Sequence, residues 1–364
     1  MTSTEESADK GKGKGKGKGK AYNRLDDERS GGEYEDARIA DINPGALLRS
    51  GRLLMTYQAD KSCYQFDPET GEAEFLFTID RPEGLFIWRA LADATGRICC
   101  TYSGIIDGPK PFQYSRFGTS GGVLDLNHRK KLGGYPTQYD IRNLIRGSGV
   151  CDPLGLEFLD DGDLLVANFN GFGGTGNIVV VDRKLGGIKQ TYASKRLVDP
   201  IKAVLDDAGS LWVANADQRA QDGELIRIRD GGREEVVLPR QGDGMGALVD
   251  VLNYRNHLVV IRDSLPALET SAVMVVSKDT GEFEVILSAG VGDSKFFSQG
   301  FVDGDMLWIA ESYNNEIIKY NLASRRVEKR LSIGAFTGPA RGIRTSYDVV
   351  ESISVVPAQI EEAA

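Results

Sequence analysis

This sequence predicts an all-β chain, a six-bladed β-propeller of four-stranded antiparallel blades closed by the C-terminal strand. Three observations carry that prediction. Residues 155–193, GLEFLDDGDLLVANFNGFGGTGNIVVVDRKLGGIKQTYA, hold four short apolar runs closed by Gly, Asp or Asn, the pattern of an antiparallel meander rather than of helices. The same unit recurs about every 45 to 50 residues, apart from one longer step, which is the period of a propeller blade. A lone meander cannot bury both of its faces, so the repeats must pack on one another.

The second strands align as RLLMTY (52–57), RICCTY (97–102), LLVAN (164–168), LWVAN (211–215), LVVIR (258–262) and LWIAE (307–311). The third strands follow in step as CYQFD (63–67), VLDLN (123–127), IVVVD (178–182), IRIRD (226–230), VMVVS (273–277) and IIKYN (317–321). Fourth strands are expected at EAEFLF, KLGGYP, IKQTY, EEVVL, EFEVIL and VEKRL. The C-terminal ARGIRTSYDVVESISVV (340–356) then supplies the closing strand, which zips the first and last blades together and protects the sheet edges. A seven-bladed ring is the alternative, but only six hairpins of third and fourth strands are found.

One repeat array argues for one propeller domain over 44–357, preceded by an arm at 1–43 and followed by a tail at 358–364. Within the arm, KGKGKGKGKGK (10–20) can bury nothing and is expected to be disordered, as a solvated tail or a basic docking arm. The acidic stretch DDERSGGEYEDA (26–37) follows it. Six lysines against Glu5, Glu6 and Asp9 put three surplus positive charges in the first twenty residues, leaving −12 on the rest of a chain whose net charge is −9. A propeller so acidic is not expected to take nucleic acid as its main partner. No apolar run approaches the roughly 18 residues of a membrane helix, and MTSTEESADK has no signal-peptide core, so a cytoplasmic protein is expected. Cys63, Cys99, Cys100 and Cys151 show no CxxC spacing and read as reduced, buried thiols.

In a blade the second strand returns to the face at which the first began, so the ends of all second strands share one face. There the sequence places Tyr57, Tyr102, Asn168, Asn215, Arg262 and Glu311, followed by Gln58, Ser103, Phe169, Ala216, Asp263 and Ser312. Repeats that are polar yet mutually different at equivalent positions fit a shaped small-molecule site. The blade-leading positions add Glu83, Asp152, Asp199, Asp243, Gln299 and Arg341. Glu311 follows an apolar run whose burial would raise its pKa, which makes it the first candidate acid/base, ahead of Asp263 and Glu83. Tyr57, Tyr102, Asn168, Phe169, Asn215, Arg262, Gln299, Tyr313 and Arg341 form the expected substrate-binding set, the arginines suiting a carboxylate or an oxyanion. For each residue taken singly, a salt bridge at the channel mouth is the competing explanation.

Two long insertions, SGIIDGPKPFQYSRFGTSGG (103–122) and GGYPTQYDIRNLIRGSGVCDP (133–153), could lid that face with Phe112, Tyr114, Phe117, Tyr135 and Tyr139, or pack on themselves. YDIRNLI within the second has the spacing of a short helix. The turns on the opposite face, such as DDGD and DDAGS, are explained by turn geometry. With only His128 and His257, a multi-histidine metal site or a Ser–His–acid triad is not expected, and GxSxG is absent. GFGGTG (171–176) precedes a strand rather than a helix, which argues against nucleotide binding.

The units LEFLDDGDLLVAN, AVLDDAGSLWVANADQ and GFVDGDMLWIAESYNNEIIKYN resemble the six-bladed calcium-dependent phosphotriesterase-like superfamily of gluconolactonases, strictosidine-synthase-like proteins and NHL-repeat proteins. The resemblance covers most of 44–356 and is specific to fold rather than activity. PEGLFIW (82–88) is similar to the EGPxW start of gluconolactonases, which implies a metal-ligand role for Glu83. The positions matching the family's other ligands hold Leu154, about Lys202, Met245 and Gln299, so that calcium site is not reproduced. No cofactor is therefore expected; a divalent cation such as calcium on Asn168, Asn215 and Glu311 is the alternative. Strictosidine-synthase-like members use a channel glutamate without metal, the role the resemblance implies for Glu311. The expected function is a propeller enzyme acting on a small organic substrate by carboxylate acid/base chemistry at the top of the channel. It would be a lyase, cyclase or hydrolase, of a kind suited to secondary metabolism. A non-catalytic scaffold presenting that face to a protein or peptide is the alternative.

Overall fold

The computed structural model describes residues 38–43, 46, 48–57, 62–80, 85–106, 116–117, 121–131, 139–146, 150, 152–169, 176–217, 222–240, 246–263, 271–289, 297–312, 314–333 and 350–357. Six antiparallel sheets form the blades. Blade 1 runs from the axis outward as Val350–Val355, Leu53–Tyr57, Ser62–Phe66 and Ala73–Asp80. Blade 2 is Leu85–Ala92, Arg97–Ile106, Gly122–Lys131 and Tyr139–Arg146, with Arg116–Phe117 paired to the end of its second strand. Blade 3 is Pro153–Phe158, Leu164–Asn168, Asn177–Val181 and Ile188–Ala193, and blade 4 is Asp199–Leu205, Leu211–Asp217, Asp222–Arg229 and Arg233–Leu238. Blade 5 is Leu248–Tyr254, His257–Arg262, Ala272–Ser277 and Phe283–Ser288, and blade 6 is Phe297–Asp303, Met306–Glu311, Glu316–Asn321 and Arg326–Ser332.

Each first strand packs beside the first strands of the blades before and after it, and Val350–Val355 completes the circle between Phe297–Asp303 and Leu85–Ala92. The C-terminal strand is thus the innermost strand of blade 1, the closure expected of a propeller. A further strand, Arg38–Ile42, pairs outside Ala73–Asp80 and covers the edge of blade 1, so the sheet begins earlier than the expected boundary at residue 44.

Two sequence expectations are corrected in blade 2. The fourth strand is Tyr139–Arg146, not KLGGYP, and YDIRNLI is therefore strand rather than helix. Ile141, Leu144 and Ile145 mimic helical spacing because of a β-bulge. Val123 faces Ile145 while Leu124 faces Asn143, so Leu144 is the extra residue and lies buried like its neighbour Ile145.

Apolar faces meet at every seam between blades. Leu53, Met55 and Phe66 pack on Trp308 and Ile317 where blade 1 meets blade 6. Trp212 and Val204 pack on Leu258 and Met274 where blade 4 meets blade 5. Burying a large side chain such as Trp212, which is fully enclosed, is worth several kcal/mol, and its loss on truncation costs about 3–5 kcal/mol. The indole N–H donates to Asp206 at 2.7 Å, and Arg227 stacks over the ring at 4.7 Å. Polar ties then fix the seams in register. Arg227 donates to the Lys278 carbonyl, Tyr254 to Asp305, Lys329 to the Pro68 carbonyl and Ser354 to the Ala90 carbonyl.

The feature that positions functional groups is a bulge repeated in all six first strands. Pairing with the second strand skips one residue between Ile87 and Arg89, Pro153 and Gly155, Pro200 and Lys202, and Leu248 and Asp250. It skips likewise between Val350 and Ser352, and by two residues between Phe297 and Gly300. A bulge re-aims the side chains around it. Here it falls beside the axis, one step before Arg89, Lys202 and Asp250.

Candidate functional site

Charged side chains released by those bulges meet at the axis. Arg89 of blade 2 is 1% exposed and reaches across the ring to blades 5 and 6. Its Nη1 donates to Asp250 Oδ2 at 3.1 Å and to Gln299 Oε1 at 3.0 Å, and its Nη2 to the Gly300 carbonyl at 2.8 Å. Asp250 also accepts the backbone N–H of Gly300 at 2.8 Å and of Val251 at 3.0 Å. On blade 4 the buried Lys202 donates to the Leu156 carbonyl and to the Glu157 carboxylate of blade 3. Burial pulls the Lys202 amine down to about 8, with Glu157 opposing and Arg89 reinforcing that fall. Both Nη atoms of Arg89 and both carboxylate oxygens of Asp250 are hydrogen-bonded, as a buried ion pair needs if it is not to destabilise the fold, while Arg89 Nε is left without a partner.

Of the residues predicted from sequence, Gln299 belongs to this cluster. Arg89, Lys202 and Asp250 were missed. Their signal is a charge immediately ahead of the apolar run in a first strand, in WRALA, IKAVL and VDVL, where aligned repeats carry Gly155 or Gly300.

The ends of the second strands form the next level. Tyr57, Tyr102, Asn168, Asn215, Arg262 and Glu311 pair in register with Val350, Ile87, Pro153, Pro200, Leu248 and Phe297, so they occupy equivalent places in the six blades. Tyr57 and Arg262 are half-buried; the others are buried, and so is Phe169, which packs in the core. Asn168 accepts from the Asp152 N–H at 2.9 Å and donates to Asn177 at 3.1 Å. Asn215 donates to the Arg196 carbonyl at 2.9 Å and to Glu224 at 3.3 Å. The buried Glu311 accepts from the Asn314 N–H at 3.1 Å. The Tyr102 phenol lies over Gly122, where a Cβ would come within 2.5 Å of its oxygen. These contacts lie within single blades and the segments leading into them, so the equivalent positions hold blade tops together as well as forming a polar rim. Glu83, Tyr313 and Arg341 lie outside the described residues, as do Gln58, Asp243, Phe112, Tyr114 and Tyr135; so do the side chains of Ser103, Phe117 and Tyr139.

Asp263 differs from its neighbours. The residue is half-buried, and burial of its carboxyl pushes the pKa up to about 7, the Ala247 N–H at 3.2 Å from Oδ1 pulling the other way. Its own N–H donates to the Ala247 carbonyl at 3.0 Å. Gly246 makes the approach possible, because at φ 96 a Cβ there would meet the Asp263 carbonyl at 1.8 Å. Beside it, burial lowers the Arg262 pKa while Asp222 of blade 4 raises it. A carboxyl poised near neutrality can both give and take a proton. Among the described residues no group of three or more His, Cys, Asp or Glu is placed to hold a metal ion. No helix there is long and apolar enough to cross a membrane.

No protein-family model matches the chain, and no curated protein matches it. Solved structures do. A chain of a nidogen/laminin complex aligns with TM-score 0.56 and 12% identity, over 84% of this chain and 99% of that one. A Bacteroides caccae protein of unknown function gives 0.55 and 13%, over 84% and 98%. The PQQ-bound aldose sugar dehydrogenase of Streptomyces coelicolor gives 0.51 and 12%, over 87% and 96%. At such identities the likeness shows the fold alone, the β-propeller already described.

Proposed function

We propose that this propeller is an enzyme acting on a small organic substrate where the second strands end, with Asp263 as its acid/base. The observation that supports this reading is the Asp263 carboxyl, which burial brings to about 7 at a half-buried residue directly after a second strand. Arg262 beside it would hold a substrate carboxylate or a developing oxyanion. Glu311, being fully buried, stands second to Asp263 as proton carrier. The chemistry would be that of a lyase, cyclase or hydrolase working by proton transfer, with neither a redox cofactor nor a metal assigned a step. A screen of small esters, lactones and hydroxy acids for thermal stabilisation, run with calcium and with EDTA, finds the substrate class. Asp263→Asn should then abolish turnover and leave the melting temperature within a few degrees. Full turnover in Asp263→Asn would sink the assignment.

A second reading has its own support. Arg89, Asp250 and Gln299 span the axis, and a closed axis suits a scaffold that presents its face to a protein or peptide. The structural neighbours include an enzyme and a chain from a protein complex, so fold alone does not decide. A stabilising small molecule in the screen favours the enzyme; failure of every compound favours the scaffold.

A further inference from the structure

The bulges that release Arg89, Lys202 and Asp250 also give each of those first strands one extra residue: Trp88 in blade 2, Ile201 in blade 4 and Val249 in blade 5. Blade 3 adds Leu154 in the same place. Each extra residue directly follows the one that pairs with a rim position: Ile87 with Tyr102, Pro153 with Asn168, Pro200 with Asn215 and Leu248 with Arg262. Going inward from the rim, an apolar layer therefore comes first and the charged layer second.

Leu154, Ile201, Val249 and Phe297, from blades 3 to 6, belong to one apolar cluster, and Trp88 of blade 2 packs against it. Five consecutive blades share a cluster only around the axis, so these side chains form an apolar floor beneath the rim. Leu154, Ile201 and Val249 are buried, whereas Trp88 is half-buried. Solvent does not reach Trp88 through the charged layer, because Arg89, Lys202, Asp250 and Gln299 are enclosed there and Arg89 is bonded across the axis. The exposed part of the indole therefore faces the rim.

We infer that this floor seats a flat apolar ring, so that the substrate is a small ring-bearing molecule whose reacting polar group stands at the rim. The inference names the substrate class of the site proposed above and rests on that reading. An indole face offers such a ring offset stacking, and the apolar area that both remove from water drives the contact. A carbohydrate-like body would instead turn hydroxyls onto Leu154, Ile201 and Val249, whose side chains offer them no hydrogen bond.

Calorimetry on the full chain with 2-naphthol, and with glucose as a polar molecule of similar size, tests it. The naphthol should bind saturably and glucose should not, up to about 10 mM. The sequence holds three tryptophans, of which Trp212 and Trp308 are buried at seams between blades. Nitrogen-15 NMR resolves their indole N–H groups, and the signal lost in Trp88→Phe should shift as 2-naphthol is added. Trp88→Ala should weaken 2-naphthol about tenfold or more, while Trp88→Phe keeps most of the affinity. Both variants are checked by melting temperature, and the unmodified chain's NMR titration keeps the test decisive should Trp88→Ala fail to fold. No saturable binding of 2-naphthol, equally tight binding of glucose, or an unmoved Trp88 signal would overturn the inference. Turnover that survives in Asp263→Asn would sink the acid/base reading alone, since seating 2-naphthol needs no proton transfer.

Discussion

The axis and the rim of blades 3 to 5 are both built from charged side chains, yet they use charge in opposite ways. At the axis Arg89, Asp250 and Gln299 are fully enclosed and bonded to one another and to backbone. At the rim Asp263 and Arg262 are half-buried, and the Arg196 and Arg240 side chains, paired with Glu224 and Asp217, are partly exposed. Charge that is buried and paired fixes the geometry of a ring; charge nearer the surface can still meet a ligand. The bulges lie in the first strands, one step before Arg89, Lys202 and Asp250, and so set the axial class apart.

The largest effect that would sharpen this contrast comes from breaking the axial pair. Arg89→Met strands the Asp250 carboxylate in the interior and should lower unfolding free energy by about 3–5 kcal/mol. Pairing it with Asp250→Leu should recover much of that loss, because an apolar pair of similar volume replaces two buried charges. Urea denaturation measures both, and a single variant costing under about 1 kcal/mol would remove the axis from the account. Lys202 gives a pH signature. Its pKa falls from 10.5 in the open chain to about 8 in the fold. The unfolded chain therefore binds more protons between those values, and stability should rise with pH across that window. Lys202→Met should flatten that rise.

At the rim the sign is reversed. The Asp263 carboxyl moves from 3.8 up to about 7, so the folded chain holds the proton longer and loses stability as pH climbs between those values. Asp263→Asn should remove that slope, which cannot exceed about 1.4 kcal/mol per pH unit. Smallest of all, Arg229→Ala breaks the half-exposed pair with Glu235 and should change stability by no more than about 1 kcal/mol. A larger loss there would blur the line between structural and surface charge.

The architecture was legible because its signals are local. Strand runs such as LLVAN and IVVVD, with turn residues between them, repeat often enough to number the blades, and the register then confirmed that Asn168, Asn215 and Glu311 are equivalent. Blade 2 was misread where a bulge let Leu144 and Ile145 both turn inward, counterfeiting a helical period. The axial cluster was not legible because Arg89 and Asp250 lie 161 residues apart and meet only once the ring closes. Asp263 was visible as a candidate, but its perturbation comes from burial of the carboxyl, against the pull of the Ala247 N–H, and no alignment of repeats displays that burial.

Titration of the aspartate side-chain carboxyls by carbon-13 NMR, with Asp263→Asn for assignment, tests the central distinction most directly. A resonance lost in that variant should titrate near pH 7. A midpoint close to 4 would mean that the rim holds an ordinary surface carboxylate, and the proposed division between a spent axis and a working rim would fall.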